Sequence, residues 1–291
     1  MPEGDTLRRT AAGLRPHLVG RTVTAARARV PGPQAHRLVG ATVTAVEAYG
    51  KHLLIRFDSG LELRSHLGMH GSWHRYAPGE LWRRPVARAR FVMDVPGAVI
   101  VCFDAPVLEL FETRAEPVHP VLAHLGPDVL AETFEPDDVT EARRRLRASA
   151  AARRSIAEGL LDQRALAGIG NVYKSEVLFI ERVDPFTSVD TLDDATLDAL
   201  ILTGRRLMRA NLGVADRRTT NGDRTAGGQR LWVYGRAGRP CRRCGTPIEV
   251  RRHGELPRST YRCARCQVVG LVGPVADEAS TMAAQHRRPG E

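Results

Sequence analysis

Leu7, Ala11, Leu14 and Leu18 recur at intervals of four, three and four, which lines one face of a helix. They predict a helix over 3–19, closed by Gly20. The period then shortens. Segments 22–30, 41–49, 52–58, 61–66, 88–95, 99–104 and 107–112 are short and rich in Val, Ile, Leu and Thr, with turns at Asp58-Ser59-Gly60 and Pro96-Gly97. Strands so short and so many predict an antiparallel sandwich or barrel. A polar, proline-containing stretch from 115 to 136 reads as a linker or loop. Helical spacing returns at 137–149. Ser155 and Glu158 form a capping-box pattern ahead of Ile156, Leu160 and Leu161, and that helix is expected to run into Ala167-Gly168-Ile169-Gly170. A second helix begins near Asn171, and a third covers 193–211 with Leu197, Leu200, Ile201, Leu207 and Met208 inward. Residues 217–228 read as a loop. The pattern divides the chain into a β-rich part (1–115), a helical part (116–230), a cysteine-bearing module (231–275) and a polar tail (276–291) expected to be disordered.

Composition narrows the class. The chain has 291 residues, 43% hydrophobic and 26% charged, an ordinary globular balance. No apolar run approaches the roughly 20 residues of a membrane span. The acidic start lacks the apolar stretch of a signal peptide. The expectation is a soluble cytoplasmic protein with no membrane partner. Charge adds more. The net charge is +10, and residues 217–266 hold 13 arginines against Asp223, Glu249 and Glu255, so the whole excess sits there. A patch of this kind is the footprint of a phosphate-backbone binder. Lys51 and Lys174 are the only lysines, which singles both out.

Cys241-Arg242-Arg243-Cys244 and Cys263-Ala264-Arg265-Cys266 are separated by 18 residues, within the range of a four-cysteine zinc site. A closed four-thiolate shell leaves no open position, so one Zn2+ held by Cys241, Cys244, Cys263 and Cys266 is expected to be structural. Such an ion supplies on the order of 10 kcal/mol of folding energy to a module too small for its own core. Cys102 lies in an apolar strand and reads as a buried small hydrophobe.

Two further features carry chemistry. Ala167-Gly168-Ile169-Gly170-Asn171 ends at a helix N-terminus, where close backbone approach and the helix dipole suit a phosphate; Asn171 adds a side-chain donor and Lys174 lies one turn on. At the other end, Pro2 favours removal of Met1 and would then present a secondary amine. An α-amino group has a pKa of roughly 8, so a useful fraction is nucleophilic at cellular pH. Such an amine attacks a sugar aldehyde carbon to give an iminium, an electron sink for elimination. Glu3 beside it is a ready general acid or base.

Together, Pro2-Glu3-Gly4, Gly50-Lys51-His52-Leu53-Leu54, the run from Leu161 to Asn171, and the run from Val233 through Cys241 to Gln267 resemble the formamidopyrimidine-DNA glycosylase/endonuclease VIII family, in order and to about residue 275. The resemblance implies an α+β multidomain fold: an N-terminal β-sandwich flanked by helices, a helix–two-turn–helix domain and a C-terminal four-cysteine zinc finger. It implies a monomer acting on double-stranded DNA with damaged bases or abasic sites. It gives Pro2 the role of Schiff-base nucleophile and Glu3 that of its acid/base partner. Lys51 falls on a catalytic lysine near the lesion phosphate, Arg258 on the finger arginine that grips phosphate, Asn171 on a phosphate-binding asparagine, and Met69 on a residue that fills the void left by the flipped base.

The purine-directed branch of the family carries an Arg-Arg-Phe-Gly loop after a late strand. The corresponding stretch here, 104–110, has no arginine, and the start through Thr6 resembles endonuclease VIII, which favours oxidised pyrimidines. The Gln-Leu-Tyr triad of endonuclease VIII is replaced by Gly68, Met69 and His70. A purine-directed glycosylase, or a non-catalytic lesion-binding relative, is the alternative. An RNA-binding zinc ribbon would leave the large β region without a purpose.

Overall fold

The computed structural model describes residues 2–148, 154–214, 216–220, 230–253 and 257–268. The predicted tail and most of the predicted loop at 217–228 lie outside them. Helix α1 (Gly4–Leu18) is followed by β1 (Ala25–Ala28), β2 (Val43–Tyr49), β3 (His52–Phe57), β4 (Leu61–His66), β5 (Ser72–Tyr76), β6 (Ala89–Val95), β7 (Ala98–Phe103) and β8 (Val107–Glu112). These strands form two antiparallel sheets, ordered β1-β6-β7-β5 and β2-β3-β4-β8. The face of α1 set by Leu7, Ala11, Leu14 and Leu18 joins one core with Val46 and Ile55 of one sheet and Met93 and Ile100 of the other. Cys102 is fully buried in that core, as its strand pattern indicated, and burial pushes its thiol pKa up.

Strand β5 was not expected. Its Ser72-Trp73-His74-Arg75-Tyr76 lacks the β-branched alternation of its neighbours, and pairing with β7 holds it in place. The stretch read as a linker is instead packed on the outer face of β3, β4 and β8. There Arg56 bridges Glu62 (3.0 Å) and Glu116 (2.8 Å), His119 meets Glu109 (3.2 Å), and Tyr49 donates to the Gly126 carbonyl (3.0 Å).

The second core is helical: α2 (Pro136–Ala148), α3 (Ile156–Gly159), α4 (Asn171–Ile180) and α5 (Asp194–Ala210). Ser155 and Glu158 make both bonds of the capping box. The helix they start is nevertheless a single turn and does not reach residue 167. Gln163 takes over the chain beyond it: its Nε2 donates to the Leu161 (2.8 Å) and Ile169 (3.1 Å) carbonyls, and its Oε1 accepts from the Gly168 N–H (3.0 Å). A hairpin of β9 (Glu249–His253) and β10 (Arg258–Arg262) completes the described chain, and its small core, Val233, Cys241, Ile248 and Cys263, closes on Phe179 of α4.

Candidate active site and nucleic-acid interface

Helix α4 organises the site from its N-terminus. The first turn of a helix leaves backbone N–H groups unpaired and carries a partial positive charge. Glu3 supplies the anion. Its carboxylate accepts from the N–H groups of Gly170 (2.9 Å), Val172 (2.8 Å) and Tyr173 (3.4 Å). A Cβ at position 170 would overlap the Glu3 side chain, so only glycine admits this approach. The Gly4 N–H donates to the Gly168 carbonyl (3.0 Å) and holds the same junction. This helix end, expected to bind phosphate, instead receives an internal carboxylate, 167 positions away along the chain. Pro2, half-buried, sits beside the fixed Glu3.

Asp5 strengthens the anchor. It is fully buried, accepts from the Tyr173 hydroxyl (3.0 Å) and pairs in bidentate fashion with Arg217 (2.6 and 3.1 Å). The Arg217 guanidinium lies 4.7 Å from the centroid of the Tyr173 ring and 3.8 Å from the Glu3 carboxylate. Burial works against the Arg217 charge, but Glu3 and Asp5 outweigh it and raise its pKa. Neither Asp5 nor Arg217 was singled out from the sequence, because 212 positions separate them and neither lies in a periodic pattern.

Lys51 occupies the turn between β2 and β3. Gly50 takes a positive φ of 53° there, and its N–H donates to Asp128 (3.1 Å), which also pairs with Arg8 (2.7 Å). Burial lowers the Lys51 pKa to about 8; Glu3 opposes the shift and Arg258 adds to it. Those two influences place Lys51 in the electrostatic field of both the N-terminal carboxylate and the finger arginine. Two histidines border it. Burial, Lys51 and Arg64 lower the His66 pKa to about 4, so the ring is neutral at pH 7. Its Nδ1 accepts from the Gly68 N–H (3.2 Å), which leaves the proton on Nε2. His52 accepts at Nδ1 from Arg64 (2.8 Å) and is likewise neutral, with a pKa lowered to about 3 mainly by burial.

The finger hairpin meets the opposite side of α4. Asn171 Nδ2 donates to the Ser259 carbonyl (2.9 Å), one residue after the exposed Arg258. Lys174, read from its place one turn beyond Asn171 as part of a phosphate grip, is not open to a phosphate. It is 1% exposed, because α4 is covered both by the helical core and by the finger, and it points between them. Burial lowers its pKa to about 7, with Glu3 opposing and Arg258 adding. Met69, at the tip between β4 and β5, is 52% exposed, an apolar side chain standing in solvent. A further joint went unread in the sequence. Glu176 is fully buried and accepts from the N–H groups of Trp232 (2.7 Å), Val233 (2.9 Å) and Tyr234 (2.8 Å) and from the Thr219 hydroxyl. Burial raises its pKa despite these bonds.

Cys241, Cys244, Cys263 and Cys266 bring their sulfurs within 4.8 Å of one another, and none is in a disulfide. Cys241 and Cys266 are 3.8 Å apart and Cys244 and Cys263 3.4 Å. Four thiolates at about 2.3 Å from one tetrahedral ion stand about 3.8 Å from each other, so the cluster fits a bound metal ion.

Comparison with known proteins agrees with this arrangement. The formamidopyrimidine-DNA glycosylase N-terminal domain matches residues 1–106, and the formamidopyrimidine-DNA glycosylase H2TH domain matches residues 125–221. The chain is 41% identical over 270 residues to a probable endonuclease 8 2 of Streptomyces coelicolor, covering 92% of this chain and 94% of the relative. It is 40% identical over 271 residues to the DNA-(apurinic or apyrimidinic site) lyase Nei2 of Mycolicibacterium smegmatis, covering 92% and 99%. In fold it is similar to the Lactococcus lactis Fpg in complex with abasic-site DNA, with a TM-score of 0.76 at 22% identity over 91% of this chain and 99% of that one.

Proposed function

The chain belongs to the formamidopyrimidine-DNA glycosylase/endonuclease VIII family of bifunctional DNA glycosylase/AP lyases of base excision repair, and from that premise we propose that it removes oxidised pyrimidines through an imine at Pro2. The observation that carries the reading is the fixed Glu3 carboxylate beside Pro2, within the field of Lys51 and Arg217. A chain terminus ordinarily frays. This one is held by five side-chain and backbone bonds to α4 and its preceding loop, the pre-organisation that a nucleophile requires.

With Met1 removed, the Pro2 nitrogen attacks C1′ of the damaged nucleotide. The N–C1′ bond forms, the base departs with its bonding pair, and opening of the sugar ring gives an iminium. Glu3 carries protons at the sugar. The iminium then accepts the electron pair released when C2′ loses a proton, and the 3′ phosphate leaves in β-elimination. A δ-elimination can follow. Lys51, Asn171 and Arg258 hold the flanking phosphates, His66 offers its Nε2–H to the same strand, and Met69 enters the duplex where the base has left the stack. Cys241, Cys244, Cys263 and Cys266 would hold a structural Zn2+, which supplies folding energy to the finger and no step of the reaction.

The pyrimidine preference is supported by the connection after β7. Only Asp104, Ala105 and Pro106 separate β7 from β8, and Asp104 is engaged by Arg84 and Arg88 (both 2.8 Å). A connection this short has no counterpart of the arginine-bearing loop of the purine-directed branch. Among the described residues no helix is long and apolar enough to cross a membrane. We place the protein in the cytoplasm, on the nucleoid, as a monomer. Borohydride trapping on duplexes carrying an abasic site or thymine glycol tests the reading. Adducts on both are expected, and Pro2→Gly should form none while still binding DNA. An adduct with Pro2→Gly at the wild-type rate would remove the proposed nucleophile. An adduct on the abasic duplex alone would remove the pyrimidine preference.

A further inference from the structure

In its protonated form Lys174 offers three N–H donors and finds three acceptors: Asn171 Oδ1 (2.7 Å), Thr260 Oγ1 (2.8 Å) and the Ser259 carbonyl (3.4 Å). The first belongs to α4 and the other two to β10, so the ammonium bolts one element to the other. Its effect on Asn171 is specific. An ammonium has no acceptor, so only the carbonyl end of the Asn171 amide can face it. The NH2 end is thereby turned toward β10, where it reaches the Ser259 carbonyl (2.9 Å). Arg258 is the next residue up that strand and is exposed. A buried cation is a poor way to join two surfaces that apolar side chains could join without desolvation. What an apolar residue cannot do is choose which end of the buried Asn171 amide faces β10.

We propose that Lys174 is a positioning residue for the phosphate grip: it sets the donor face of Asn171 and the place of the strand that carries Arg258, without touching DNA itself. The inference rests on the reading of Asn171 and Arg258 as phosphate ligands.

The test uses the full chain with its metal and a duplex carrying a tetrahydrofuran abasic analogue, with binding measured across a salt series. Lys174→Met should weaken binding about tenfold and flatten the slope of log K against log salt by about one to two phosphate contacts. Arg258→Ala should cost about tenfold in the wild type and less than about threefold beside Lys174→Met, since residues acting as a unit are not additive. Thr260→Val removes one acceptor and keeps the charge. It should move slope and affinity in the same direction, and it carries the test if Lys174→Met does not fold or loses its metal. An unchanged slope together with additive Arg258→Ala would overturn the proposal and leave Lys174 a purely structural lysine. Imine trapping by the wild type is run in parallel. If it fails while the slopes change as stated, the catalytic reading falls and the positioning role stands.

Discussion

Glu3 and Glu176 are two carboxylates in nearly the same cradle. Each is fully buried, and each accepts from three backbone N–H groups. Glu3 comes from outside and is received by the free end of α4. Glu176 comes from the middle of α4 and is received by the segment leading into the finger. The difference lies in what else is near. Glu3 adjoins a half-buried chain terminus, an arginine at 3.8 Å and the field of Lys51. Glu176 is enclosed by protein, and its burial raises its pKa. On the proposed reading, the same hydrogen-bond geometry serves a reagent beside Pro2 and a joint between α4 and the finger.

Glutamine substitution separates the two roles. Glu3→Gln should lower the single-turnover rate on lesion DNA by about 10²–10⁴-fold, the usual share of a general acid or base. Glu176→Gln should leave the rate of the folded enzyme within a few-fold. Both place an NH2 against buried N–H donors, so both should cost about 1–3 kcal/mol in denaturant unfolding. Equal rate losses would erase the distinction. Next in size is Cys244→Ser, which should release the metal, loosen the finger and weaken DNA binding through loss of Arg258, as read by metal content and salt-dependent affinity. A full metal content would refute the four-cysteine site.

A smaller effect lies in pH. The folded Glu176 pKa is raised, so its contribution to stability is present below about 4.5 and is lost as pH rises through the folded value. Lys51 runs the other way: its folded pKa of about 8 lies below 10.5, so its contribution is present above 10.5 and is lost as pH falls through 8. Tm against pH should lose its fall above pH 4.5 in Glu176→Gln and its rise between pH 8 and 10.5 in Lys51→Met. The smallest effect is expected at Cys102, whose buried thiol should resist alkylation in the native protein; rapid labelling would contradict its burial.

Local signals were legible in the sequence and distant ones were not. The spacing of Leu7, Ala11, Leu14 and Leu18 announced α1, and the paired cysteines announced the cluster, because each depends on residues a few positions apart. The glycine turn before Asn171 was recognised as an anion site, but its anion is Glu3, which no spacing rule connects to it. Lys174 was read as part of the phosphate grip because it lies one turn beyond Asn171; sequence spacing does not show that the helical core and the finger both cover α4 there and bury it. The Asp5–Arg217 pair and the Glu176 cradle depend wholly on tertiary contact.

The capture of Glu3 by α4 also has a consequence for biosynthesis. Position 3 leaves the ribosome long before position 173, and at about 5–20 residues per second the interval is roughly 10–30 s. Through that interval the nascent amino terminus has no partner and lies open to an aminopeptidase. Once the later helix emerges and takes the carboxylate, trimming would have to compete with folding. The order of synthesis thus leaves an interval in which removal of Met1, which the proposed role of Pro2 requires, would meet no folded partner of Glu3.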